Sequence, residues 1–154
     1  MQLSEIYQGL GEQSFGDLLK SVSMGKLKTF QLYDRMKVRL HLPKLNSETM
    51  RRAAPKLWER VQTEEEFASD LAQAVLVSHL DMIRAVLDFL QVPHEDGFFA
   101  KDADVASYLK DDWAQRSYDR FKDMHPKTPL IFYLNHLGWE LIKDFQLFNP
   151  EIIP

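Results

Sequence analysis

Tyr133, His136 and Glu140 stand at spacings of three and four in the stretch PLIFYLNHLGWELIKDF. On a helix that spacing sets the three side chains, with Asp144, along one side. An imidazole and a carboxylate four residues apart can converge on a divalent cation or work as an acid–base pair. The same pair also occurs as solvated neighbours on polar helix faces. Carboxylate-bridged metal bundles draw their ligands from paired Glu-x-x-His motifs, and this sequence holds neither Glu-x-x-His nor His-Glu-x-x-His. Tyr133, His136 and Glu140 are therefore candidate ligand-binding residues, with no metal assigned and no catalytic residue named.

His79 is the other chemical candidate. It lies in EEEFASDLAQAVLVSHLDMIRAVLDFL, residues 64–90, which contain no Pro and no Gly. The pattern predicts one long helix. Thr63 and Glu66 have the spacing of a capping box, the early glutamates suit the positive end of the helix dipole, and Pro93 opposes continuation. At 3.6 residues per turn, Leu71, Val75, Ile83, Val86 and Leu90 share an apolar arc of about 180°, with Val77 and Arg84 opposite. That is wider than the stripe of a surface helix, so the stretch reads as the central helix of a bundle. His79 falls in the middle of the arc. It is either a neutral core histidine bonded to a carbonyl or a ligand residue facing an internal pocket. Burial disfavours the charged imidazole in both cases.

Charge is unevenly spread. Residues 20–60 hold eleven Lys and Arg against three Asp and Glu, a balance of +8 in a chain of net −4. Lys28, Arg35 and Arg39 gather on one face of a helix predicted over Met24–Leu40. Arg52, Lys56 and Arg60 recur every four residues along the next one, SETMRRAAPKLWERV. These six are candidate anion-binding residues and resemble a nucleic-acid footprint. The connection HLPKLN, however, lacks the short Gly-containing turn of a helix-turn-helix, and the pI near 5.7 opposes non-specific binding to a duplex. A protein partner, the chain's own acidic half or a second copy is the favoured recipient, and nucleic acid the lesser one.

The remaining elements position these groups. Residues 1–22 read as an N-terminal arm of two short helices weakened by Gly9, Gly11 and Gly16. Pro55 either kinks its helix or splits it in two. QVPHEDGFFAKD is a loop. The segment Ala103–Met124 is helical with a bend near Asp111 and Asp112, and its Tyr108 and Tyr118 point away from the core. The last helix opens with Pro129 in its first turn and runs to about Phe148, burying Phe145 and Phe148. Phe132 and Trp139 lie nearly opposite, a second aromatic patch that asks for another helix, the arm or another subunit. Residues 149–154 read as an extended tail.

Composition excludes several classes. With no cysteine there is no disulfide, thiolate metal site or cysteine nucleophile. No apolar run reaches a membrane-spanning length, and the first residues lack a basic, then apolar, leader pattern. Phosphate-loop, dinucleotide and Gly-x-Ser-x-Gly patterns are missing from the sequence. The expectation is a cytoplasmic, single all-α domain over 1–154. It has about five main helices around the 64–90 helix. Its function is that of a non-enzymatic binding or interaction protein, self-associating, with no cofactor indicated. The alternatives are a small-molecule or metal site near His79, and nucleic-acid binding through the basic helices.

Overall fold

The computed structural model describes residues 2–34, 47–99 and 104–150. The protein is all-α: among the described residues there are nine α-helices, one 3-10 turn and no strand. The chain divides into two compact units, Gln2–Ser78 and His79–Pro154.

The first unit is built from α1 (Leu3–Leu10), α2 (Glu12–Lys20), α3 (Met24–Thr29), α4 (Ser47–Arg52), α5 (Ala54–Thr63) and α6 (Glu65–Ser78). Gly11, at φ 86°, joins α1 to α2 in a conformation that suits glycine. These two helices are not a peripheral arm. Ile6, Tyr7, Phe15, Leu18 and Leu19 are fully buried. Each such side chain contributes about 1.5–3 kcal/mol on burial, which outweighs the roughly 1 kcal/mol that an interior glycine costs. Tyr7 meets Phe15 edge-on at 5.7 Å, and Phe15 stacks obliquely on Trp58 at 5.3 Å. The Tyr7 hydroxyl donates to the Ala68 carbonyl at 2.8 Å, and burial pushes the phenol's pKa well up.

Pro55 splits its helix rather than kinking it. A turn at Ala53 separates α4 from α5, and Pro55 then lies in the first turn of α5, where its missing N–H costs nothing. Met50, Leu57 and Val61 face inward as the spacing predicts. The helix expected over Met24–Leu40 is interrupted: α3 ends at Thr29, Tyr33 and Asp34 are helical again, and residues 35–40 lie outside the described residues. Gln31 takes φ 59°, Leu32 N–H reaches the Leu27 carbonyl at 2.7 Å, and Gln31 N–H reaches Lys28 at 3.1 Å. That pairing is a Schellman stop, closed by buried Leu27 and Leu32.

The long helix expected over 64–90 is interrupted. Thr63 does not cap α6; its hydroxyl bonds back to the Glu59 carbonyl within α5. α6 ends at Ser78, and His79, at φ −126° and ψ 35°, is the N-cap of the next helix, α7 (Leu80–Phe89). No helix-breaking residue causes this. The Ser78 hydroxyl donates to the Ala74 carbonyl at 2.7 Å and accepts the Ser23 backbone N–H at 2.9 Å, and back-bonding of this kind bends helices. α6 packs against α1, α3 and α5, so Val77, placed by periodicity on the polar side, is buried.

In the second unit α7 ends in a second Schellman stop, with Gln91 at φ 60° and Val92 N–H on the Leu87 carbonyl at 2.9 Å. The loop that follows closes as a two-residue hairpin. Glu95 and Phe98 exchange both backbone hydrogen bonds, with Asp96 at φ 52° and Gly97 at φ 91° between them, the Asp-Gly turn that hairpins favour. His94 fastens it: Nε2 lies 2.7 Å from the Asp88 carboxylate, and Nδ1 accepts the Gly97 N–H at 3.0 Å. A 3-10 turn, Val105–Tyr108, precedes the break at Asp112 (φ 62°) and then α8 (Trp113–Phe121), as the ragged pattern suggests. α8 packs on α7 and on α9 (Lys127–Leu141).

α9 is the buried helix of this unit. Leu130, Phe132, Tyr133, Leu134, Asn135 and Leu137 are all buried, so apolar contact surrounds it, as in a core helix. The expected continuation to Phe148 does not occur. The chain leaves the helix after Leu141, turns at Asp144 (φ 58°), and returns as an irregular tail along α8 and α9. Tyr118 is consequently buried, edge-on to the Phe148 ring at 5.8 Å.

Candidate functional site

Tyr133, His136 and Glu140 come together on α9. Because α9 is enclosed, the side of the helix that looks polar in sequence turns inward. Tyr133 is 5% exposed, and the His136 side chain retains 13% exposure. His136 Nδ1 lies 3.8 Å from Glu140 Oε2, beyond hydrogen-bond reach. The imidazole sits between two rings of its own helix, Phe132 at 6.1 Å and Trp139 at 5.4 Å.

Electrostatics follow from this burial. Desolvation pushes the His136 pKa down to about 4, so the ring is neutral at neutral pH. The Tyr133 phenol is pushed up, first by desolvation and then by the neighbouring Glu140 carboxylate. Glu140, about half exposed, is raised by desolvation. All three shifts favour uncharged forms. The set can therefore offer a phenolic donor, a neutral imidazole with one donor and one acceptor nitrogen, and a carboxyl group. Among the described residues, neither the Tyr133 hydroxyl nor a His136 ring nitrogen makes a hydrogen bond. Trp139 also lines an adjoining open cleft of about 210 Å³ with Ile142, Asp144 and Phe145.

His79 belongs to a different element. It is half-buried at the N-cap of α7, and its pKa is lowered first by desolvation and then by the nearby His125. That His79–His125 proximity is invisible to helical spacing, because the two residues belong to different elements. Among the described residues no three His, Cys, Asp or Glu side chains converge as metal ligands.

The basic candidates are dispersed in their use. Arg35 and Arg39 lie outside the described residues. Arg52 and Lys56 are exposed. Lys28 places its ammonium 4.9 Å from the Tyr33 ring. Arg60 is engaged: it grips the Glu64 carboxylate with two hydrogen bonds, at 2.9 and 3.2 Å, and stacks over Phe67 at 4.1 Å. The aromatic patch expected from Phe132 and Trp139 is not an open surface, since Phe132 is fully buried and Trp139 half-buried.

Sequence reading missed Asn135 and Gly138, both on α9 and both directed at the returning tail. The available signal was an amide and a glycine inside an otherwise apolar helix, two residues with poor reason to be there. Comparison of the chain with protein-family models, with curated proteins and with solved structures gives no match.

Proposed function

We propose that the protein is a binding protein with a small-ligand site on α9, formed by Tyr133, His136 and Glu140. One observation carries the reading: the Tyr133 phenol, the His136 imidazole and the Glu140 carboxyl share one face of a largely enclosed helix, and among the described residues the phenol and the imidazole make no hydrogen bond, which leaves their polar atoms free to meet a ligand. A bound molecule with both a donor and an acceptor would complete the set. The drive towards neutral side chains favours an uncharged ligand over a metal ion, and the half-buried Trp139 ring beside His136 favours a flat one. The basic segment enters this reading nowhere, with Arg60 already held by Glu64.

Native mass spectrometry on protein purified without chelator tests it, followed by thermal-shift screening of small uncharged donor–acceptor compounds. The expected result is a retained mass, or a compound that raises Tm of the wild-type protein but not of Tyr133→Phe or His136→Leu. A ligand present at 100 times its Kd would add about 2.7 kcal/mol. No retained mass, together with His136 ring resonances that move with no compound in the panel, overturns the reading.

A further inference from the structure

The returning tail is bound as a peptide would be. Asn135, 4% exposed, donates from Nδ2 to the Phe148 carbonyl at 2.9 Å and accepts the Phe148 N–H on Oδ1 at 2.6 Å. A side-chain amide thus reads both backbone groups of one extended residue. Three residues earlier in the tail, Phe145 lies across Gly138, where an added Cβ would overlap the ring carbons. Trp113 backs that ring at 6.3 Å, and Tyr118 meets the Phe148 ring at 5.8 Å. Two rings and one peptide unit, all within Phe145–Phe148, carry this recognition.

We infer that the groove between α8 and α9 is a peptide-recognition surface whose occupant exchanges between chains, the Phe145–Phe148 segment of one copy seating on Asn135 and Gly138 of a second copy. Two observations support exchange. The segment hangs from a short turn, Ile142–Asp144, whose Asp144 holds a left-handed φ of 58°, a conformation that costs an L-residue about 1 kcal/mol. The groove it vacates would leave a buried amide and a ring-shaped hollow, and a second copy brings the one chain already matched to both. A reciprocal exchange satisfies both grooves and closes as a two-fold dimer.

Two full-length variants test this by complementation. Phe145→Ala/Phe148→Ala keeps the groove and loses the rings that fill it; Asn135→Leu/Gly138→Ala keeps the tail and loses the groove. Sedimentation of each alone should give a monomer, and the mixture a 1:1 complex. A mixture that sediments as monomers, with both variants folded by circular dichroism, overturns the proposal. Should either variant fail to fold, the wild-type protein is titrated with a labelled peptide IKDFQLFNP. Saturable binding, at least tenfold weaker when both phenylalanines are alanine, supports the groove, and no binding overturns it. Peptide binding by a wild-type protein that remains monomeric at millimolar concentration overturns the second-copy assignment and turns attention to a partner's Phe-x-x-Phe segment.

Discussion

Asn135 pairs with both the N–H and the C=O of Phe148, so one buried amide on α9 fixes the path of a segment thirteen residues further along the chain. The Asn135→Ala substitution removes both bonds and strands the amide's site. The expected cost is about 2 kcal/mol in a urea melt, with hydrogen exchange at the Phe148 N–H accelerated at least tenfold. Unchanged protection at Phe148 would refute the clamp.

Gly138 and Phe145 should show a reversal of sign. Gly138→Ala gains about 1 kcal/mol of helix propensity but displaces the Phe145 ring, at a cost of about 1–3 kcal/mol for overpacking. The wild-type background should therefore be destabilised. In a Phe145→Ala background the same substitution meets no ring and should stabilise. A double-mutant cycle measures the difference directly.

The pH dependence of stability should expose His136. Its pKa falls from the ordinary 6.5 to about 4 on folding, so below pH 6.5 the unfolded chain binds the extra proton. Stability from this group is present above pH 6.5 and is lost as pH falls towards 4, with a slope of up to about 1.4 kcal/mol per pH unit. His79, also lowered, acts in the same direction. Glu140, raised on folding, acts oppositely: its contribution is present at low pH and is lost as pH rises through its folded value. Urea midpoints between pH 7 and 4 should fall steeply for the wild type and much less for His136→Leu. An equally steep profile in the variant would place the titrating group elsewhere.

Tyr133→Phe separates a ligand site from ordinary packing. With no ligand bound, deleting an unpaired hydroxyl should leave thermal stability unchanged within about 0.5 kcal/mol, or raise it slightly. Ligand-dependent stabilisation should drop by about 1 kcal/mol or more. A clear loss of stability in the ligand-free protein would mean the hydroxyl already has a partner there.

Gln31 and Gln91 occupy matching positions after α3 and α7, each left-handed, at φ 59° and 60°. A non-glycine residue pays about 1 kcal/mol there. Gln31→Gly and Gln91→Gly should each stabilise by up to about that amount, measured as a shift in urea midpoint, because both positions close a Schellman stop.

These two glutamines also explain part of what the sequence concealed. Glycine or asparagine at such a position announces a helix end, whereas glutamine does not, so α3 reads as running through Leu32 towards Leu40. The end of α7 was legible only through Pro93. Where periodicity was strong, as at Met50, Leu57 and Val61, or broken by chemistry, as at Asp112 and Pro55, residues and structure agree. The interruption at His79 was hidden because no helix-breaking residue marks it, and the Ser23 N–H that the Ser78 hydroxyl accepts comes from fifty-five residues away. The grouping of Tyr133, His136 and Glu140 was legible from spacing, but their burial was not. It is set by what packs around α9, which spacing does not name; likewise, nothing in the repeat of apolar residues separates a helix that continues to Phe148 from one that stops and returns.

The bond from Tyr7 to Ala68 spans sixty-one residues, and that separation sets a clock on synthesis. Eight residues of α1 are too few to hold helical structure unaided. At 5–20 residues per second, the ribosome needs about 3 to 12 seconds between making Tyr7 and making Ala68. Through that interval Ile6, Phe15, Leu18 and Leu19 have no finished core to enter, so the nascent chain presents them to whatever cellular factors screen emerging polypeptides.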